Sequence, residues 1–176
     1  MTRSPLILAA LAVTLVLSGC GSRSFGNKID DQFIPSNVEQ KIKQTSPDLA
    51  SGSHIVVTSY NGIVLLAGQT PRADLKASAE QAARSVQGVR KVYNEPQVTA
   101  PSSALARSND ALLTTKIKTA MLADSAVSSS QIKVITENGI VYMLGVVSRQ
   151  QAQVATNLVQ GVSGVQKIVK LFEYVD

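Results

Sequence analysis

The pattern of apolar and polar positions occurs twice along this chain, with an offset of 77 residues. In each copy two short apolar runs flank an Asn-Gly pair, Asn61-Gly62 or Asn138-Gly139, and a further glycine, Gly68 or Gly145, follows downstream. Asn-Gly between apolar runs is the strongest short-range signal for a β-hairpin, because a type I′ turn needs positive φ at both central residues. The pattern therefore predicts one hairpin in each half of the chain.

A helix is predicted after each hairpin. Thr70-Pro71 offers a capping hydroxyl and a proline for a helix over 72–86, and Ser148 forms a capping box with Gln151 for a helix over 149–159. Both copies then show a glycine near the helix end and a β-rich segment that predicts a third strand: Gly88 and 91–98 in the first copy, Gly164 and 166–175 in the second.

The helix that opens each copy can be aligned in two ways. The tripeptide Lys41-Ile42-Lys43 matches Lys116-Ile117-Lys118 at an offset of 75, whereas an offset of 79 aligns Asp30-Asp31 with Asn109-Asp110. The second alignment superimposes all three positions of the apolar stripes of the two helices, which follow i, i+4, i+8 spacing. These stripes are Ile34, Val38 and Ile42 in the first copy and Leu113, Ile117 and Met121 in the second. We therefore predict the offset of 79.

The fold class is therefore predicted as α+β, with two tandem αββαβ modules. In each module a small three-stranded sheet carries two helices on one face. The expected divisions are a cleaved signal peptide over 1–19, a tether over 20–29, a first module over 30–98, a linker over 99–108 and a second module over 109–176. Modules of this size bury a modest core and leave little room for a deep active site.

The start of the chain has the layout of an export signal. Arg3 is followed by an uncharged apolar run that is shorter than the roughly 20 residues of a membrane-spanning helix, and the segment ends in Leu17-Ser18-Gly19-Cys20. This ending resembles the bacterial lipobox, in which the cysteine is acylated and becomes the first residue. The alternative is an ordinary secretory signal beside a chance cysteine. Because a lone thiol in an oxidising compartment needs an explanation, we expect lipidation at Cys20. By resemblance to known lipoprotein sorting signals, Gly21 after it implies the outer membrane.

Composition and charge exclude several classes of function. A formal net charge of +5 with scattered basic residues is too weak for a nucleic-acid-binding protein, although it suits anionic lipid surfaces. His54 is the only histidine and has no evident carboxylate partner, and Asp30-Asp31 is typical of an acidic helix start. With Cys20 lipidated, no thiolate metal site remains. We expect no enzyme activity, no cofactor and no metal.

The two modules resemble the BON domain, named for osmotically induced periplasmic and nodulation proteins. The motifs that carry the resemblance are Thr136-Glu137-Asn138-Gly139 with Gly145, and Val162-Ser163-Gly164-Val165. Two copies behind a lipobox are similar to dual-BON outer-membrane lipoproteins. The resemblance implies a lipid-anchored protein that faces the periplasm, binds phospholipid, supports outer-membrane integrity and is recruited to the division site. It also implies that lipid contact is made chiefly by the first helix of the second module.

That helix, over 110–123, therefore provides the candidate site. On a helical wheel Leu112 and Leu122 point away from the apolar stripe, and Lys116 and Lys118 flank them, which is the pattern of a helix that binds an anionic phospholipid membrane. The alternative is a core helix with incidentally exposed leucines. In the first copy Phe33 stands on an otherwise polar face, where it would contact either lipid or the neighbouring module.

Two functions remain open from the sequence. The first is a phospholipid-binding protein of the envelope, tethered at Cys20, whose membrane-binding residues are Leu112, Lys116, Lys118 and Leu122. The second is a tethered protein-interaction adaptor that uses the same helix to bind an envelope protein during outer-membrane protein assembly.

Overall fold

The computed structural model describes residues 25–176, with side chains from residue 31 onward. The first module runs in the order helix, short helix, hairpin, helix and third strand. Its elements are α1 (Phe25–Thr45), α2 (Pro47–Ser51), β1 (His54–Tyr60), β2 (Ile63–Thr70), α3 (Ala73–Arg84), β3 (Lys91–Asn94) and β4 (Gln97–Val98). The second module repeats this plan with a 3-10 turn in place of the short helix. Its elements are α4 (Ala104–Ala123), β5 (Ile132–Glu137), β6 (Ile140–Val147), α5 (Arg149–Gln160) and β7 (Lys167–Tyr174).

Each sheet is a hairpin extended by one parallel strand. β2 and β6 are the central strands, antiparallel to β1 and β5 and parallel to the third strand of their module. The third strand of the second module is continuous, whereas that of the first is divided at Glu95-Pro96 into β3 and β4. Proline has no backbone N–H to donate to a ladder, which explains why the segment predicted as one strand over 91–98 is two.

Both predicted Asn-Gly turns have the expected backbone. Asn61 and Gly62 have φ values of 55° and 73°, and Asn138 and Gly139 have values of 50° and 72°. Positive φ at both central positions defines the type I′ turn, whose twist matches that of the paired strands.

The two long helices of each module cover one face of its sheet and enclose a separate core. The stripes aligned by the offset of 79 are buried in both copies, and Val38 and Ile117 are fully enclosed. The offset of 79 is therefore correct, and the α+β fold class with two tandem modules is confirmed.

The other faces of the two sheets pack against each other. Tyr60, Leu65 and Ala67 of the first sheet form one apolar cluster with residues of the second sheet. The contributors from the second sheet are Tyr142, Leu144, Val146 and Leu171. We call this contact between the two sheets the seam. The molecule is thus a stack of four layers, helices, sheet, sheet and helices, and each sheet is covered on both faces.

The helix starts differ in part from expectation. Ser148 and Gln151 form the predicted capping box of α5. The predicted cap at Thr70-Pro71 is wrong: Thr70 ends β2, where its hydroxyl accepts a hydrogen bond from Ser53, and Arg72 takes the N-cap position without a capping side chain.

The fourth helix begins earlier than expected. α4 starts at Ala104, within the segment 99–108 that was predicted as a linker, because the Ser103 hydroxyl accepts a hydrogen bond from the Ala106 N–H. Arg107 donates to the Ser102 carbonyl and holds the same turn. The connection without helix or strand is therefore only five residues long, 99–103.

Candidate membrane-binding surface

The helix α4 packs on its sheet through one narrow face. Leu113, Ile117 and Met121 are buried in the core of the second module, and Asp110 is buried beside them. Residues three and four positions apart lie on one side of a helix, so this spacing fixes which side chains point outward. The outer face of α4 is therefore determined by the packing of its inner face.

The outer face carries large apolar side chains. Leu112 is 61% exposed and Leu122 is 75% exposed, as expected from the wheel. Leu105, which is 72% exposed, extends this apolar surface by two helical turns. Leu105 lies in the segment predicted as a linker, although the run Ala104-Leu105-Ala106 behind Ser103 is a good helix start.

The charges on the outer face are all positive. Lys116 and Lys118 are exposed, whereas Asp110 is the only acidic residue of α4 and is buried. The methylene chains of lysine side chains can lie along apolar surface while the ammonium groups reach outward. The predicted residues Leu112, Lys116, Lys118 and Leu122 thus share one exposed, apolar and cationic helix face, and their role in membrane binding stays a prediction.

A groove runs beside this face. It has a volume of about 350 Å³ and lies between α4, the turn at Asn138-Gly139 and the loop before β7. Leu112 and Lys116 form one wall, and neutral polar residues, Ser163 and Gln166, form the other. The groove places hydrogen-bonding groups next to a cation, and it is also lined by Asp110, whose carboxylate accepts hydrogen bonds from the Asn138 and Gly139 N–H groups.

The corresponding helix of the first module has a different outer face. Phe33 is 59% exposed, but its neighbours on that face, Ser36, Gln40 and Lys43, are polar or charged. The first turns of α1 lie near the end of α4, because Asp31 and Lys118 line a common cleft of about 390 Å³ between the modules. Phe33 is therefore an isolated apolar residue on a polar helix.

The acidic residues assigned to helix starts have another role. α1 begins at Phe25, so Asp31 is in its second turn, where its carboxylate accepts hydrogen bonds from the N–H groups of Asn61 and Gly62 at 2.6 and 3.0 Å. Asp110 accepts from the N–H groups of Asn138 and Gly139 at 2.8 and 2.9 Å. Each carboxylate thus fixes the hairpin turn of its own module onto its helix, and the interpretation as an acidic helix start is wrong.

The environment of the single histidine also differs from expectation. His54 does have a carboxylate neighbour, because its Nε2 lies 3.5 Å from Oε2 of Glu137 in the other module. Burial, and secondly the charge of Arg107, lower the pKa of His54. Burial, and secondly the charge of Asp110, raise the pKa of Glu137 to about 7. No local pattern in the sequence indicates this pair, because the contact exists only when the modules stack.

Cys20, the signal segment 1–19 and the tether up to residue 24 lie outside the described residues. Among residues 25–176 no helix is both long and apolar enough to cross a membrane. Over the same residues no group of three or more histidine, cysteine or acidic side chains is arranged to hold a metal ion.

The fold defines a tandem two-module α+β protein whose candidate site is an exposed helix face. Both modules match the BON domain family, over residues 30–100 and 109–176, and the chain belongs to this family.

Three relatives with known names are similar to the chain. It is 37% identical to the outer membrane lipoprotein DolP of Haemophilus influenzae over the full length of both proteins. It is 37% identical to a 21 kDa hemolysin of Actinobacillus pleuropneumoniae, over 87% of this chain and 78% of that protein. It is 29% identical to the osmotically-inducible protein Y of Escherichia coli, over 81% of this chain and 72% of that protein.

Among solved structures, the chain is similar to the C-terminal domain of CdsD, a structural protein of the type III secretion system of Chlamydia trachomatis. The identity is 10% and the TM-score is 0.34, over 80% of this chain and 96% of that domain.

Proposed function

We propose that this protein is a lipid-anchored lipoprotein of the outer membrane that faces the periplasm and binds anionic phospholipid through the outer face of α4. In this role it supports the integrity of the envelope, with enrichment at the division site, and it acts by binding rather than by catalysis. The observation that carries the proposal is the outer face of α4, where exposed leucines lie beside lysines and no acidic side chain is exposed.

The anchor rests on the sequence and on one relative. The ending Leu17-Ser18-Gly19-Cys20 has the form of a lipobox, and the relative that matches the whole chain bears the name outer membrane lipoprotein. Acyl chains contribute about 0.8 kcal/mol for each buried CH₂ group, so a triacylated Cys20 holds the protein on a membrane without a spanning helix.

The outer face of α4 is suited to a weaker, surface-reading contact. Burying one exposed leucine contributes about 1.5–3 kcal/mol at most, and a basic residue near an anionic surface contributes about 1 kcal/mol. Three partly inserted leucines and two lysines therefore give an affinity in the range of about 10 μM to 1 mM lipid. Such a contact is significant mainly for a protein already held at the surface by its anchor.

Flotation with vesicles tests this function directly. The mature chain with Cys20→Ser is mixed at low salt with vesicles of zwitterionic and anionic phospholipid at millimolar concentration. We expect it to float with the anionic vesicles, and we expect the double variant K116E/K118E to lose at least about tenfold in bound fraction, because each lysine is turned from an attraction into a repulsion.

The first module supplies a matched control for this charge reversal. Lys41 and Lys43 are exposed and flank a buried isoleucine, as Lys116 and Lys118 do. K41E/K43E makes the same change in net charge, and we expect it to have a much smaller effect on flotation. Equal losses in both double variants would contradict a site on α4. Flotation that is unchanged in K116E/K118E, together with crosslinking of α4 to an envelope protein, would support the adaptor instead.

A further inference from the structure

The seam has an internal pseudo-twofold relation that follows from the duplication. Tyr60 and Glu137 each precede the Asn-Gly turn of their module, and each reaches across the seam to the start of the opposite first strand. The Tyr60 hydroxyl donates to the Gln131 carbonyl at 2.7 Å, and Oε2 of Glu137 lies 3.5 Å from Nε2 of His54. Gln131 and His54 are themselves 77 positions apart. Equivalent positions of the two modules therefore form two related contacts across the seam. One is a hydrogen bond from a tyrosine to a carbonyl, and the other pairs a glutamate with a histidine.

A second pair of contacts obeys the same relation. The Asn61 side chain donates to Glu173 at 2.7 Å, and the Asn138 side chain donates to Gln97 at 3.1 Å. Asn61 and Asn138 are separated by 77 positions, and Gln97 and Glu173 by 76. Four polar contacts thus hold the two modules together, and the duplication relates them in two pairs. This regularity defines the seam as a specific interface.

The two ends of the first pair differ in how well they are satisfied. The Tyr60 end is a short neutral hydrogen bond. At the other end Glu137 is only 9% exposed, and Nε2 of His54 and Oε2 of Glu137 are buried without a hydrogen bond of good geometry. Buried polar atoms are rarely left unpaired. A proton on the carboxyl supplies the missing donor, because the O–H group of Glu137 then points to a neutral imidazole nitrogen.

The groups around Glu137 come from every neighbouring element. His54 lies on β1 and the neutral Gln69 on β2, Arg107 and Asp110 lie on α4, and Tyr142 lies on β6. Burial and the Asp110 carboxylate hold the pKa of Glu137 at about 7, and Gln69 and Arg107 act in the opposite direction. Burial, followed by the charges of Glu95 and Glu137, raises the pKa of Tyr142 to about 12, so this phenol stays neutral at physiological pH.

We propose that the seam is a joint controlled by protonation: the two modules dock most firmly while the Glu137 carboxyl carries a proton, and they separate more readily once it is ionised. Ionisation leaves a buried carboxylate with no donor from His54, whereas separation exposes it to water. Asp110 belongs to the same module as Glu137, so its repulsion is present whether the modules are docked or separated. This property belongs to the seam and does not depend on membrane binding by α4.

The direction of the pH dependence follows from linkage. A raised pKa in the docked state means that Glu137 favours docking fully below its ordinary value of 4.5, and that this contribution is lost as pH rises to about 7. His54 acts the other way, because a lowered pKa opposes docking when pH falls below its ordinary value of 6.5. The shift at Glu137 is the larger of the two, so the net effect of raising pH is to weaken the seam.

A distance measurement between the modules tests the joint. Fluorescent labels are placed at the exposed positions Ala77 on α3 and Gln160 on α5, in the mature chain with Cys20→Ser, and energy transfer is followed from pH 5 to pH 8. We expect the separated fraction to rise with pH. Between pH 6.5 and 7 the docking constant changes by up to about tenfold per pH unit, the limit for one proton.

Three variants are expected to change the pH dependence of docking in three different ways. A general loss of stability would not produce this pattern. E137Q keeps the shape of the side chain without the charge, and we expect it to reverse the dependence, because only His54 then titrates. H54F removes the titrating imidazole and adds no hydrogen-bond donor beside Glu137, and we expect a steeper loss of docking with pH. Y60F removes the neutral hydrogen bond at the other end, and we expect weaker docking at every pH with an unchanged slope.

The ionisation of Glu137 is checked independently by carbon-13 NMR of its carboxyl group, whose pKa we expect at about 7. A wild-type seam that does not respond to pH would overturn the proposal. A pH response that is the same in E137Q, or a Glu137 carboxyl that titrates at its ordinary value, would also overturn it.

Discussion

Helices α1 and α4 occupy equivalent places in the two modules and differ almost entirely on their outer faces. Both bury a stripe with i, i+4, i+8 spacing, and both hold an Asn-Gly turn through a carboxylate, Asp31 or Asp110. The outer face of α1 is polar apart from Phe33, whereas that of α4 presents Leu112 and Leu122 beside lysines.

This difference shows which features the fold requires and which it leaves free. The buried stripe and the turn-binding carboxylate occur in both copies because each module needs them to fold. The apolar and cationic outer face occurs in one copy only, so it is not needed for folding. Under the proposed function these exposed leucines are the residues that contact the membrane.

The largest effect is expected at the glycine that follows each hairpin turn. A Cβ at Gly68 would lie 2.0 Å from the His54 carbonyl oxygen, and a Cβ at Gly145 would lie 2.5 Å from that of Gln131. Gly68 also has a φ of 101°. We expect Gly68→Ala to cost about 4 kcal/mol in unfolding free energy and Gly145→Ala about 2 kcal/mol. Urea unfolding followed by circular dichroism measures both, and equal stability of the two variants would contradict the role of φ.

A smaller effect is expected at the carboxylates that bind the turns. Asp31 accepts hydrogen bonds from two backbone N–H groups and from the Ser59 hydroxyl, whereas Asp110 accepts from two N–H groups only. Hydrogen bonds to charged groups contribute about 1.5–3 kcal/mol, so we expect Asp31→Ala to cost about 3 kcal/mol and Asp110→Ala about 2 kcal/mol. Hydrogen exchange should increase in the hairpin of the altered module. An increase confined to the other module would show that the carboxylate acts elsewhere.

The smallest effect is expected at the helix that follows the hairpin in each module, α3 or α5. Ser148 caps α5 through its hydroxyl, whereas the N-cap of α3, Arg72, makes no capping hydrogen bond. We expect Ser148→Ala to cost about 1 kcal/mol and Arg72→Ala to cost less, because exposed ion pairs such as that of Arg72 with Asp48 contribute little. The midpoint of thermal unfolding compares the two variants, and a larger loss in Arg72→Ala would contradict the role of the cap.

The periodicity of the sequence was sufficient for the fold of each module. Asn-Gly between apolar runs predicted the hairpins, and the spacing of Leu113, Ile117 and Met121 predicted the inner face of α4, because both signals are local. Helix ends were predicted less well. Thr70 has the local pattern of a helix cap, but its hydroxyl accepts a hydrogen bond from Ser53. Ser53 is 17 positions away, and no local pattern connects the two residues.

The seam lay beyond the reach of this reasoning. The pairing of Glu137 with His54 depends on two modules stacking through their sheets, and nothing in the period of either strand specifies the partner of an outward-facing residue. The offset of 79 aligns Asp31 with Asp110. Their hydrogen bonds to the turns cannot be predicted from that alignment, because each joins residues about 30 positions apart. Long-range polar contacts are therefore the part of the site that the sequence does not encode locally.

Flotation of Leu112→Glu compared with Phe33→Glu tests the central claim most directly, because the two residues occupy equivalent positions on α4 and α1. Gln160→Glu, on the exposed face of α5, controls for the added negative charge. With anionic vesicles at low salt, we expect Leu112→Glu to abolish binding, whereas Phe33→Glu and Gln160→Glu keep most of it. Binding that survives in Leu112→Glu, or that is lost equally in all three variants, would contradict a membrane-binding role for the outer face of α4.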